Sequence, residues 1–178
     1  MKKKQLIQHF ALLAMLLFLF VSCKKETVKN EAKSENREWV SGTWKQKDLV
    51  ISVSVKLGGQ SIPEGTSMIT LAPLLGQALG NPAIADAILC TKDNTYSFNA
   101  DGTYSINGCT DLILPSAGDK GKWDLTIYDA VLQLTSSGDT KDPHWINSIT
   151  SNTMNLALTV NFPGVGNAPL GLILEKQP

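Results

Sequence analysis

The sequence predicts a mostly β fold, an antiparallel up-and-down barrel of about eight strands with a short helical insertion. Segments in which apolar and polar residues alternate recur from Leu49 to the C-terminus, as half-buried strands require. Turn-forming residues separate them at intervals too short for parallel crossovers, which need a dozen residues or more. One stretch, residues 63–89, changes instead to helical spacing.

The N-terminus comes first. Lys2, Lys3 and Lys4 form a positive cluster, and Phe10 to Val21 form an unbroken apolar run that stops at Ser22-Cys23-Lys24-Lys25. A helix needs roughly 20 apolar residues to span a bilayer core, so this run is too short for a comfortable span but long enough for a signal peptide over residues 1–22. The segment resembles the signal of a bacterial lipoprotein, with Phe20 where that signal usually has Leu. The resemblance implies that Cys23 is acylated and becomes the first residue of the mature chain. Several acyl chains on one cysteine hold a protein on a membrane where a single chain binds only marginally. The alternative is an ordinary secretory peptide that happens to contain a cysteine. Lys24 stands where an aspartate would retain such a lipoprotein at the inner membrane. The expected location is therefore the bacterial cell envelope, lipid-anchored at the outer membrane, with the periplasmic or surface face left open.

Loss of Lys2, Lys3 and Lys4 leaves 13 basic residues against 16 acidic ones. With Arg37 the only arginine, no basic face is available for phosphate, so nucleic acid is not an expected partner. Residues 23–38 are dominated by Lys, Glu, Asn and Ser and read as a disordered tether. From Trp39 the composition changes, and residues 39–178 have the size of one compact domain.

Within that domain Leu49, Ile51, Val53 and Val55 alternate as a first long strand. Further strands are expected at 96–98, 103–106, 122–127, 131–134, 145–149, 154–160 and 170–174. The hairpin Tyr96-Ser-Phe-Asn-Ala-Asp-Gly-Thr-Tyr-Ser-Ile106 is readable in detail. Asn99-Ala-Asp-Gly102 suits a type I turn followed by a left-handed glycine, which sets Phe98 opposite Tyr104 and Tyr96 opposite Ile106. All four then share one face. Between the first strand and this hairpin, Leu71, Leu74, Leu75, Ala78 and Leu79 recur at helical spacing, and Asn81-Pro82 is a helix start, with Asn capping and Pro at the first position. Such an insertion is either a plug on the barrel's open end or a lid over it.

Cys90 and Cys109 bracket the hairpin. In an exported chain whose Cys23 is acylated they form the remaining pair, and a disulfide between them closes a loop of about 20 residues. The chain before Thr95 must bend back to allow it. A zinc site lacks ligands: His144 is the only histidine after the signal peptide, and neither cysteine belongs to a close pair. No metal and no cofactor are expected.

Gly42-Thr-Trp44 resembles the Gly-x-Trp signature that opens the lipocalin barrel, whose tryptophan packs across the closed end. With the cysteine-flanked Asp-Gly hairpin and the second Gly-x-Trp, Gly121-Lys-Trp123, the stretch 40–176 is similar to the lipocalin-like domain lipoproteins of Bacteroidetes. Segment 63–89 departs from a minimal lipocalin. The resemblance implies a calyx that holds a small apolar molecule, with Trp44 as a structural residue. An eight-stranded barrel either fills its interior or holds one small ligand. Two functions follow: a binding module for a small hydrophobic or amphipathic ligand, with Tyr96, Phe98, Tyr104 and Trp123 as wall residues, or a filled barrel serving as a structural or interaction protein. Protein partners leave no readable trace. No nucleophile motif accompanies His144, read here as a solvated loop residue before a strand, and the many aspartates match turns rather than a calcium loop. The expectation is a protein that is not an enzyme.

Overall fold

The computed structural model describes residues 34–57, 59–109, 116–162 and 166–178. The expected signal peptide, Cys23 and the tether as far as Lys33 lie outside these residues. Among the described residues, eight antiparallel strands close into a barrel: β1 (Gly42–Ile51), β4 (Thr95–Phe98), β5 (Thr103–Asn107), β6 (Lys120–Thr126), β7 (Val131–Thr135), β8 (Lys141–Ile149), β9 (Thr153–Phe162) and β10 (Gly166–Lys176). Neighbours around the barrel follow chain order, and β10 closes on β1. Between β1 and β4 the chain makes a small hairpin of β2 (Val55–Leu57) and β3 (Gln60–Ile62), then the helices α2 (Met68–Ala78) and α3 (Pro82–Cys90). A first helix, α1 (Glu35–Val40), precedes β1. No helix among the described residues is long and apolar enough to cross a membrane.

The first strand differs from its expected course. It begins at Gly42 and ends at Ile51, so the Gly-x-Trp triplet lies within it, Val53 is exposed outside it and Val55 belongs to β2. Trp44 and Gln46 point inward, then Leu49 and Ile51 do, and the odd spacing between the two pairs is a β-bulge between Gln46 and Asp48 in the pairing with β10. A one-residue slip moves every later side chain to the other face, so a strict period-two reading loses the strand's first half. The hairpin β4–β5 has the expected register, Phe98 opposite Tyr104 and Tyr96 opposite Ile106, closed by Gly102 N–H to the Asn99 carbonyl at 3.0 Å. Gly102 adopts φ +84°, which glycine reaches at no steric cost.

Residues 34–38, expected to belong to the tether, are ordered. Ser34 caps α1 by accepting from Arg37 N–H at 3.1 Å. The helix closes one end of the barrel: Arg37 pairs with Asp124 and lies over the Trp123 ring, and Trp44 Nε1 donates to the Val40 carbonyl at 2.8 Å. Lys176 Nζ donates to the Trp39 carbonyl at 2.7 Å and stands over the Trp44 ring; burial there pulls its pKa down.

At the other end sits the insertion. Asn81 caps α3 by accepting from Ala83 N–H, with Pro82 in the first turn, as expected. Ser67 caps α2 and also donates to Asp48 at 2.7 Å, fixing the insertion to the bulge of β1. A 3₁₀ turn, Thr91–Asp93, supplies the bend that brings Cys90 to Cys109, and the two are joined in a disulfide with Cα atoms 5.7 Å apart. Buried Asn94 replaces a ladder rung beside it. Its amide donates to the Cys109 carbonyl at 2.8 Å and its oxygen accepts from Cys109 N–H at 2.7 Å.

Candidate functional site

Alternation sends one face of every barrel strand inward, and these faces are mainly Leu, Ile, Val and aromatic. They do not fill the space. A cavity of about 530 Å³ runs from Phe98 toward the end that carries the insertion, bounded by Tyr96, Phe98, Leu132, Leu156 and Leu172. Its volume lies within the ~300–1,000 Å³ typical of small-molecule sites. A second cavity, about 240 Å³, lies between the insertion and the barrel, bounded by Met68, Leu75, Ile84, Phe162 and Leu170. Leu170 and Pro169 border both, so the two adjoin.

Of the four expected wall residues, Tyr96 and Phe98 line the larger cavity and Tyr104 and Trp123 do not. Both of the latter face inward and are buried, but each is used to close the structure. The Tyr104 hydroxyl donates to the carbonyls of Ala117 and Gly118, at 3.2 and 3.1 Å. Trp123 Nε1 donates to the Asn99 carbonyl at 2.9 Å, and its ring meets Phe98 edge-on with centroids 5.9 Å apart. Gly42 and Trp44 stand at the closed end. A Cβ on Gly42 would press on Lys176 Cε, and its φ of +133° suits glycine alone.

The cavity wall is tied to the insertion by polar contacts. The Tyr96 hydroxyl donates to Gln46 Oε1 at 3.2 Å, Gln46 Nε2 donates to Thr91 Oγ1 at 2.9 Å, and Thr91 Oγ1 donates to the Ile88 carbonyl at 2.8 Å. Burial pushes the Tyr96 phenol up to about 12. Tyr104 also rises to about 12, through burial first and then the nearby charges of Asp142 and Asp119.

Two residues absent from the expected site belong to it. Strand β8 begins at Lys141, four residues before its expected start, so the loop reading of His144 is corrected: it sits opposite Leu132 with its side chain on the cavity wall, 9% exposed. Asp142, the neighbouring inward residue, also lines the cavity. Its carboxylate accepts from Ser116 N–H at 2.6 Å. Burial alone would raise Asp142, but His144 beside it and the N–H groups of Ser116 and Ala117 outweigh that and hold its pKa below the ordinary aspartate value. His144 Nε2 stands 3.4 Å from Asp142 Oδ2, too poorly aligned for a hydrogen bond, and no other partner meets it among the described residues. A proline inside the segment, Pro143, hides the strand in the sequence, although Asp142, His144 and Ile146 carry the right alternation.

The wall has a seam on this side. Strand β8 pairs with β7 along Lys141–Trp145 but with β9 only from Ile146 to Ile149. Half-exposed Trp145 and the outward-facing Ala157 and Thr159 border the same cavity as inward Leu156, so the space reaches the outer surface between β8 and β9. Among the described residues no three His, Cys, Asp or Glu side chains converge as metal ligands would.

The chain is similar in structure to a lipocalin-like protein from Bacteroides uniformis ATCC 8492. The match covers 78% of this chain and 99% of that one, with 11% sequence identity and a TM-score of 0.35. No family model matches the sequence, and no curated protein does.

Proposed function

We propose that the protein is a lipid-anchored, lipocalin-like binding protein of a bacterial cell envelope, held on the outer membrane through acylated Cys23. Its barrel carries a small apolar or amphipathic molecule and performs no catalysis. The observation that carries this reading is the cavity of about 530 Å³ that inward-facing Tyr96, Phe98, Leu132, Leu156 and Leu172 border in the barrel and that opens between β8 and β9. Close packing is the rule in protein interiors, and a space this large among Leu, Phe and Tyr side chains favours a hollow calyx over a filled barrel. The signal-like segment ending at Cys23 supports the anchor.

One pair of strains tests both halves. The full chain fractionates with membranes and Cys23→Ala is released to the soluble fraction; a variant that stays membrane-bound refutes the anchor. The released protein, extracted with organic solvent and refolded, then binds the neutral fluorophore N-phenylnaphthylamine saturably at one site. Leu132→Phe, placed on the cavity wall, abolishes that binding while the far-UV circular dichroism is kept. Failure of the wild-type cavity to take the fluorophore, or indifference to Leu132→Phe, refutes the calyx.

A further inference from the structure

On the cavity's largely hydrocarbon wall His144 and Asp142 project together from β8, and the other polar residues of the lining are Ser52, Tyr96, Ser116 and Thr159. His144 is nine-tenths buried and its Nε2 has no hydrogen-bond partner among the described residues. Leaving a buried polar atom unpaired costs roughly 1–3 kcal/mol, so such an atom calls for an explanation. Resting on the binding reading above, we propose that this pair is the polar anchor of the ligand site and that its ligand is an uncharged amphiphile, an apolar body carrying a hydroxyl. A small rotation of the imidazole opens Nε2 to the cavity, and the hydroxyl then hydrogen-bonds both His144 Nε2 and the Asp142 carboxylate.

Charge selects the headgroup. The residues that line the cavity include no lysine or arginine; the titratable ones are Asp142, His144 and Tyr96. Asp142 is held ionised, so the pair carries one negative charge with neutral imidazole and none with imidazolium. Neither state offers surplus positive charge to a carboxylate head. An anionic amphiphile would bring a second carboxylate beside Asp142 in a poorly solvated space, where like charges repel strongly. An ammonium head would match the sign but must shed its hydration among leucines and aromatics. A hydroxyl both donates and accepts, and an oxygen placed to one side of two groups 3.4 Å apart, on the cavity face, reaches each at ordinary hydrogen-bond length.

The test measures displacement of N-phenylnaphthylamine from the full chain carrying Cys23→Ala, at neutral pH, by decanol, decanoate and decylamine, which share one chain and differ in the head. Decanol binds tightest, by about tenfold over decanoate, the worth of one good hydrogen bond. His144→Phe, which keeps a ring in the wall, lowers the affinity for decanol about tenfold relative to the same variant's affinity for the fluorophore. Asp142→Asn keeps an acceptor for Ser116 N–H and lifts the exclusion, so decanoate gains several-fold. Equal affinities of the three heads, tightest binding of decanoate or decylamine, or a decanol affinity unmoved by His144→Phe overturns the inference while fluorophore binding leaves the calyx standing. Loss of fluorophore binding in the wild type overturns both.

Discussion

Replacing Cys90 and Cys109 together by serine measures what the disulfide contributes. The two residues lie 19 apart in sequence. In the loop-entropy model a cross-link of that span removes ~3 kcal/mol of freedom from the unfolded chain. The loop it closes contains β4 and β5, whose Tyr96, Phe98, Tyr104 and Ile106 are all buried in the core. No partial opening can release the loop without dismantling the barrel, so the loss is felt in global unfolding. Packing contributes little to the difference, because Cys90 is exposed and Cys109 half-buried, and serine replaces sulfur with oxygen at the surface. Urea titration of the oxidised wild type and the double serine variant should show one transition each, with stability lower by ~3 kcal/mol and Tm lower by about 10 °C. A loss under ~1 kcal/mol would refute the entropic account. An early second transition that removes only helical signal would show instead that the bridge serves the insertion and not the barrel.

Alkaline unfolding reads the buried phenols. A folded-state pKa of about 12 against an ordinary 10.0 means that the unfolded chain gives up its tyrosine protons first. The stability from each group is whole below pH 10 and is lost as pH rises toward 12, at up to ~1.4 kcal/mol per pH unit for Tyr96 and less for Tyr104, where solvent screens the nearby charges. Tyr96→Phe removes one of these contributions and flattens the slope in that window, and an unchanged slope would refute burial as the cause. Gly121→Ala places a Cβ against the Thr135 backbone carbonyl and 3.0 Å from Tyr104 Cε1. Backbone cannot yield there, so the variant loses ~1–3 kcal/mol or more in urea, whereas Gly138→Ala, which meets only ordinary contact, stays within ~0.5 kcal/mol. Equal effects at the two sites would refute the steric account of the second Gly-x-Trp.

The β4–β5 hairpin was legible to the residue because its information is local: a turn with Asn99 and Gly102 fixes the register, and the register fixes the shared face. The same holds for α3, whose start is written in Asn81-Pro82. What was not legible depends on distant partners. The bulge in β1 exists against β10, and α1 is held by Asp124 and Asp129 of β6 and the turn after it. Composition alone makes α1 look like tether. Alternation told correctly that Tyr104 and Trp123 face inward, yet it carries face and not the distant partners that engage them: the Tyr104 hydroxyl turns to the Ala117 and Gly118 carbonyls and the Trp123 indole to Asn99. Pro143 concealed His144 for a related reason: proline argues against a central strand, and here the strand is locally an edge.

Under the proposed binding function, that edge bears on how a ligand would enter. A strand edge inside a barrel wall leaves backbone groups unpaired, and proteins blunt such edges with proline and charge. Lys141, Asp142 and Pro143 supply both on the β8 side of the seam. The mouth is obstructed by contrast: the insertion is fastened to β1 through Ser67 and Asp48, to the wall through Gln46 and Thr91, and to the end of β5 through the Cys90–Cys109 bridge. Entry through the mouth breaks several of these contacts, and entry between Trp145 and Thr159 breaks no ladder rung, since none is present there. On the proposed binding function, the insertion acts as a plug and the seam as the gate. Stopped-flow mixing with N-phenylnaphthylamine separates the routes. Entry through the seam proceeds at the same rate whether the bridge is oxidised or reduced, while a marked acceleration on reduction would place the route under the helices.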